Sequence, residues 1–118
     1  MIQIFGTTKS FDTKKAQMWF KERRISFQFI DLKEKAMSNG EFDSVVTALV
    51  RVYGSRADAI DAMIDKKSKD YASIAYIDDG DKAEKLLECQ SLMVQPICRN
   101  GKDKATVGLA IKTWEEWK

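Results

Sequence analysis

Apolar residues in this chain fall either in short dense runs or at spacings of three and four, and the two patterns alternate from the first residue onward. Ile2 to Phe5 predicts a short buried strand, ended by Gly6. After the polar stretch Thr7 to Ser10, a helical pattern starts near Phe11 or Asp12 and continues to about Arg24. Thr13, Ala16, Trp19 and Phe20 share one face of it, and Lys14, Lys15, Gln17 and Lys21 lie elsewhere. Ile25 to Leu32 is aromatic and β-branched, which predicts a second strand. A strand, a helix and a strand within about thirty residues is the pattern of a parallel pair with a crossover helix.

The middle of the chain reads as helical. Ser38 with Glu41 forms a capping box, opening a helix through Val45, Val46, Leu49 and Val50 that stops before Gly54. Ser55 caps a second helix with Ala59, Ile60, Met63 and Ile64 on its apolar face. A turn around Tyr71 to Ile77 leads to Asp79, the expected cap of a helix holding Ala83, Leu86 and Leu87. Val94 to Arg99 and Lys104 to Val107 predict a hairpin, with Asn100-Gly101 near its turn. Thr113 with Glu116 is expected to cap a terminal helix that packs Trp114 and Trp117 on the sheet. The sum is an α/β chain, residues 1–118 as one unit, with a mixed four-stranded sheet and a helical insertion at about 38–89. This plan resembles the thioredoxin-like, or glutaredoxin-like, fold.

Composition removes much ordinary chemistry. Among 118 residues there is no histidine, so no imidazole base, Cys-His or Ser-His pair, or histidine metal ligand is available within the chain. Two cysteines, Cys89 and Cys98, do not complete a thiolate zinc site, and no metal or cofactor is expected. Twenty basic residues against eighteen acidic ones leave +2, too little to indicate nucleic acid. Lys14, Lys15, Lys21, Arg23 and Arg24 make the first helix basic, and Glu22 interrupts them; a solvated face accounts for the run. No apolar run approaches the ~20 residues of a membrane span, and MIQIFG is a strand instead of a signal peptide. The expectation is a reduced, cytoplasmic, monomeric protein.

Several segments resemble the arsenate reductase family, including its Spx-type branch of transcription regulators. They are IFGTTKSFDTKKAQMWF near the start, FQFIDLKE after it, SLMVQPI near position 95, and KATVGL followed by WEEW. In that family a reactive cysteine sits at the N-terminus of the first helix, where free backbone N–H groups and the helix dipole favour a thiolate. The same N–H groups, with arginines, hold the oxyanion being reduced. The resemblance sets Ser10 at the cysteine position and Thr13 where some members carry a second cysteine. It sets Gln95 where an arginine precedes the proline, and Lys67 at a further arginine position. Pro96, the one proline in the chain, falls at the cis-proline position of the fold.

A serine hydroxyl forms neither a thiol–arsenic adduct nor a mixed disulfide. The resemblance therefore implies a redox-inactive homologue that acts as a binding or regulatory module. The alternative is an oxidoreductase or oxyanion-binding enzyme of the family that takes its thiol from another molecule; a reductase using Cys98 is a third. Thr8, Lys9, Ser10, Phe11, Asp12, Thr13, Lys67, Gln95 and Pro96 are the candidate residues for a vestigial or anion-binding site. Capping by Ser10 or Asp12 explains the same loop without a ligand, and any oxyanion is expected to bind weakly, on the order of millimolar. Gly54 resembles a glycine that Spx-type regulators carry in the surface meeting RNA polymerase, and Arg56 follows it. Gly54 also reads simply as a left-handed helix cap.

Overall fold

The computed structural model describes residues 1–118. Five strand residues, Ile2–Gly6 (β1), lead into helix α1, Phe11–Glu22, and then into β2, Phe27–Asp31. Four helices follow: α2 (Asn39–Tyr53), α3 (Arg56–Met63), the short α4 (Ala72–Ala75) and α5 (Asp79–Glu88). A 3-10 turn at Gln90–Leu92 precedes the hairpin β3 (Ile97–Asn100) and β4 (Lys104–Val107), and α6 (Ile111–Glu115) closes the chain. The sheet order is β2-β1-β3-β4. β1 and β2 are parallel, Ile2 opposite Phe27, while β1–β3 and β3–β4 are antiparallel.

Strand alternation divides the core between the two sheet faces. Phe5, Ile30 and Ile97 point to one face and meet the buried side chains of α2 to α5, including Phe42, Val46, Leu49, Met63 and Leu86. Ile2, Ile4 and Cys98 point to the other and meet Ala16, Trp19 and Phe20 of α1 and Trp114 of α6. The mixed four-stranded sheet read from the sequence is therefore present, with helices on both sides.

Local caps explain where the helices begin. The Ser38–Glu41 capping box forms in both directions, and the Ser55 hydroxyl accepts the Asp58 N–H at 3.1 Å. Gly54 ends α2 at φ 95°, a left-handed conformation that glycine adopts without strain.

Several boundaries differ from the pattern-based expectation. Arg24, at φ 57°, and the Ile25 N–H, which donates to Phe20 O, close α1, so β2 starts at Phe27 and not at Ile25. Val94 donates to Met63 O, beside the Met93–Ile64 bridge, so it stays out of the sheet and β3 starts only at Ile97. The segment expected as a turn, Tyr71 to Ile77, contains α4. Asp78, not Asp79, precedes α5 and makes no side-chain cap. Thr113 lies inside α6, which begins after Ala110, because Gly108 at φ 70° ends β4 and turns the chain early enough to bury Trp114.

Candidate functional site

The sheet topology brings together the end of β1, the start of α1 and the segment before β3. Leaving β1 at Gly6, the chain makes a tight turn in which the Ser10 N–H donates to Thr7 O at 3.2 Å. Ser10 then caps α1: its hydroxyl accepts the Thr13 N–H at 3.2 Å, and its carbonyl accepts the Lys14 N–H at 3.1 Å. Gln95 reaches this loop from the other side. Its side-chain oxygen accepts from the Thr7 N–H at 2.8 Å and from the Thr7 hydroxyl at 3.0 Å. The Gln95–Pro96 peptide is cis.

Between these segments opens a cleft of about 570 Å³, lined by Ser10 and Asp12 of the α1 end, Asp65 to Lys67 after α3, Ser91, and Val94 with Gln95. Four of the residues expected at a vestigial site therefore meet in one place: Ser10, Asp12, Lys67 and Gln95. The remaining candidates do not line the cleft. Thr8 and Lys9 are exposed in the loop, and Lys9 stands against Lys33, whose pKa is lowered by that contact and by the charge of the second lysine. Phe11 is largely exposed, with the Lys14 ammonium 5.6 Å from its ring centre. Pro96 is buried, and its carbonyl accepts the Gly108 N–H at 2.8 Å. Gly54 and Arg56 are exposed at the α2–α3 turn and do not line the cleft.

Thr13 is fully buried, its hydroxyl has no partner, and its side chain fills the space over Gly6. A Cβ added at Gly6 would lie 2.7 Å from Thr13 Cγ2, which locks the loop exit against the helix. Gly6→Ala is expected to cost about 1–3 kcal/mol through this overlap. Adding Thr13→Ala should recover most of the loss, because the clash has one partner. Urea denaturation of the two single variants and the double variant checks this; simple additivity would show that the overlap is not the cause.

Sequence reasoning did not single out Asp65, Lys66 or Ser91, which also line the cleft. The signal was the DKKSK run after a capped helix: Asp65 Oδ1 accepts the Lys67 N–H at 3.0 Å, an Asx turn that returns the chain toward Ser10. The Lys66 ammonium lies 2.9 Å from Asp61 Oδ2.

Neither native cysteine lines the cleft. Cys98 is buried beneath α1 and α6, and burial pushes its thiol up to about 12, against a weaker opposing effect from Thr106. Cys89 is half-buried, with its sulfur 3.5 Å from the Ser91 hydroxyl, so it lies one contact behind the cleft wall.

The Cys98 environment has a pH consequence. Below the ordinary thiol value of 9.0, both folded and unfolded chains are protonated at this residue. As pH rises from there toward 12, only the unfolded chain loses the proton, so the fold loses stability. The expected slope from this residue alone is about 1.4 kcal/mol per pH unit. Wild type and Cys98→Ala compared by urea unfolding should diverge in pH dependence above pH 9.0 and run parallel below it. Parallel curves throughout would contradict the burial effect.

No protein-family model and no curated protein sequence matches the chain. Solved structures do match over nearly its whole length. An arsenate reductase from Vibrio cholerae is 18% identical at a TM-score of 0.75, covering 98% of this chain and 95% of that one. An ArsC-family-related protein from Bacteroides fragilis is 14% identical at a TM-score of 0.77, covering 99% and 97%. An arsenate-reductase-related protein from Brucella melitensis is 16% identical at a TM-score of 0.68, covering 98% and 92%. The chain thus has the fold of arsenate-reductase-like proteins, the mixed sheet and helical layers included.

Proposed function

We propose that this chain is an arsenate reductase homologue that binds at the α1 cleft and does not carry out thiol chemistry there. The observation that carries this reading is Ser10: at the helix end where the family's chemistry needs a thiolate stands a hydroxyl already engaged with the Thr13 N–H. Gln95 adds to it. Its amide oxygen is held by Thr7, and a neutral amide supplies none of the charge of a guanidinium clamp.

One feature favours the alternative, an oxyanion site served by an external thiol. The Phe11 and Asp12 N–H groups at the start of α1 have no acceptor in the chain, so the positive end of the helix is open beside the cleft. Against it stand the carboxylates of Asp12 and Asp65 in the same lining. The regulatory reading requires a protein partner, and the exposed turn at Gly54 and Arg56 is the surface that an RNA polymerase-type contact would use.

Thiol labelling of the native protein separates these readings. Slow modification of both Cys89 and Cys98, mapped by peptide mass, is the expected result. A rapidly modified thiol whose labelling is blocked by arsenate would overturn the binding reading in favour of an enzyme.

A further inference from the structure

We infer that the α1 cleft selects a small zwitterion, carrying one ammonium and one carboxylate, over an inorganic oxyanion. The inference rests on the reading of this cleft as a binding site and concerns what charge it accepts. Five charged groups decide it. Asp12 stands on the α1 wall, with no hydrogen bond or ion pair to any side chain. Asp65 and Lys67 stand on the opposing segment; one Asp65 oxygen takes the Lys67 backbone N–H, and the Lys67 ammonium has no carboxylate partner. Lys66 also lines the cleft, but Asp61 neutralises it at 2.9 Å.

Among the side chains the uncompensated groups are therefore two carboxylates and one ammonium, and the open N–H groups of α1 stand beside them. The other polar side chains of the lining, Ser10, Ser91 and Gln95, are neutral. A dianion entering this space meets Lys67 and the open N–H groups of α1, but it is repelled by both Asp12 and Asp65. A zwitterion meets complementary charge at both ends: its ammonium toward Asp12 and Asp65, its carboxylate toward Lys67. Ile64, Met93 and Val94 supply an apolar floor for a short carbon skeleton between the charged ends. The cleft, at about 570 Å³, has room for a dipeptide-sized molecule.

Amide NMR titration of the whole protein tests this with three probes: glycylglycine, inorganic phosphate and methylammonium. Shifts clustered at residues 10–12, 65–67 and 91–95 with glycylglycine, stronger than with phosphate or methylammonium, are expected. Asp12→Asn and Lys67→Gln should each weaken glycylglycine binding about tenfold, as loss of a charge-assisted contact. Asp12→Asn should at the same time improve phosphate binding. Tighter binding of phosphate than glycylglycine by the wild type would overturn the inference and leave the binding role standing. No glycylglycine shifts in the cleft would overturn it as well. Failure of the binding reading itself is seen separately, as a rapidly modified thiol protected by arsenate in the labelling experiment.

Discussion

Ser10→Cys is expected to create the fastest-reacting thiol in the chain, ahead of Cys98 by about a thousandfold at neutral pH. Cys98, with its pKa pushed to about 12, is thiolate in only about one molecule in 10⁵ at that pH. A cysteine at position 10 stands at the N-terminus of the 12-residue helix α1, beside the unpaired Phe11 and Asp12 N–H groups. Such positions lower a thiol pKa to between ~3.5 and 7.5, so most of it is ionised. The lower basicity of that thiolate returns about two powers of ten in intrinsic nucleophilicity, which leaves roughly three. Burial of Cys98 adds to the difference. Replacing the Ser10 cap costs α1 about 1 kcal/mol, small enough to keep the fold. Iodoacetamide kinetics on Ser10→Cys, with sites assigned by mass mapping, give the ratio directly. Equal rates at positions 10 and 98 would mean that the helix end no longer activates what stands on it.

Trp114→Ala is expected to produce the largest loss of stability of any substitution considered, about 3–5 kcal/mol. That is a substantial share of the ~5–15 kcal/mol that holds a domain together. The indole is fully buried, its ring centre 5.1 Å from Phe20 and 5.6 Å from Trp19, and its N–H donates to the Thr106 hydroxyl at 2.9 Å. This cluster joins α6 to α1 across β4, and so holds α1 against the sheet below the cleft. Trp114→Phe separates the two contributions: it keeps a ring but leaves the Thr106 hydroxyl without its partner, for about 1–3 kcal/mol. Chemical denaturation of both variants checks the order. A Trp114→Ala loss below that of Trp114→Phe would contradict the packing account.

The parts of the fold legible in the sequence were those with a local physical cause. Ser38, Glu41 and Ser55 cap helices because each hydroxyl or carboxylate reaches backbone three residues away, and that spacing is visible in the chain. The face formed by Thr13, Ala16, Trp19 and Phe20 is buried as its periodicity required. What remained hidden depends on tertiary pairing. Nothing local distinguishes Val94 from the strand that follows it; it stays out of the sheet because Met63 O offers its N–H a partner. The cleft divides in the same way. Ser10 and Gln95 were identifiable through the family resemblance, whereas Asp65 and Ser91 are joined to them only by the return of the chain after α3. Lys9 looked like an anion ligand by its place beside Ser10, yet it stands with Lys33 at the ends of the parallel strands.

The proposed function has this arsenate-reductase-like fold binding at its cleft without thiol chemistry, with Ser10 and Gln95 where the resemblance expects a cysteine and an arginine. Arsenite formation from arsenate, glutathione and glutaredoxin measures this most directly. The purified protein is expected to give no turnover above a blank without protein, and Cys98→Ala to be indistinguishable from it. Arsenite produced above that blank by the wild-type chain, and lost in Cys98→Ala or Cys89→Ala, would contradict the account.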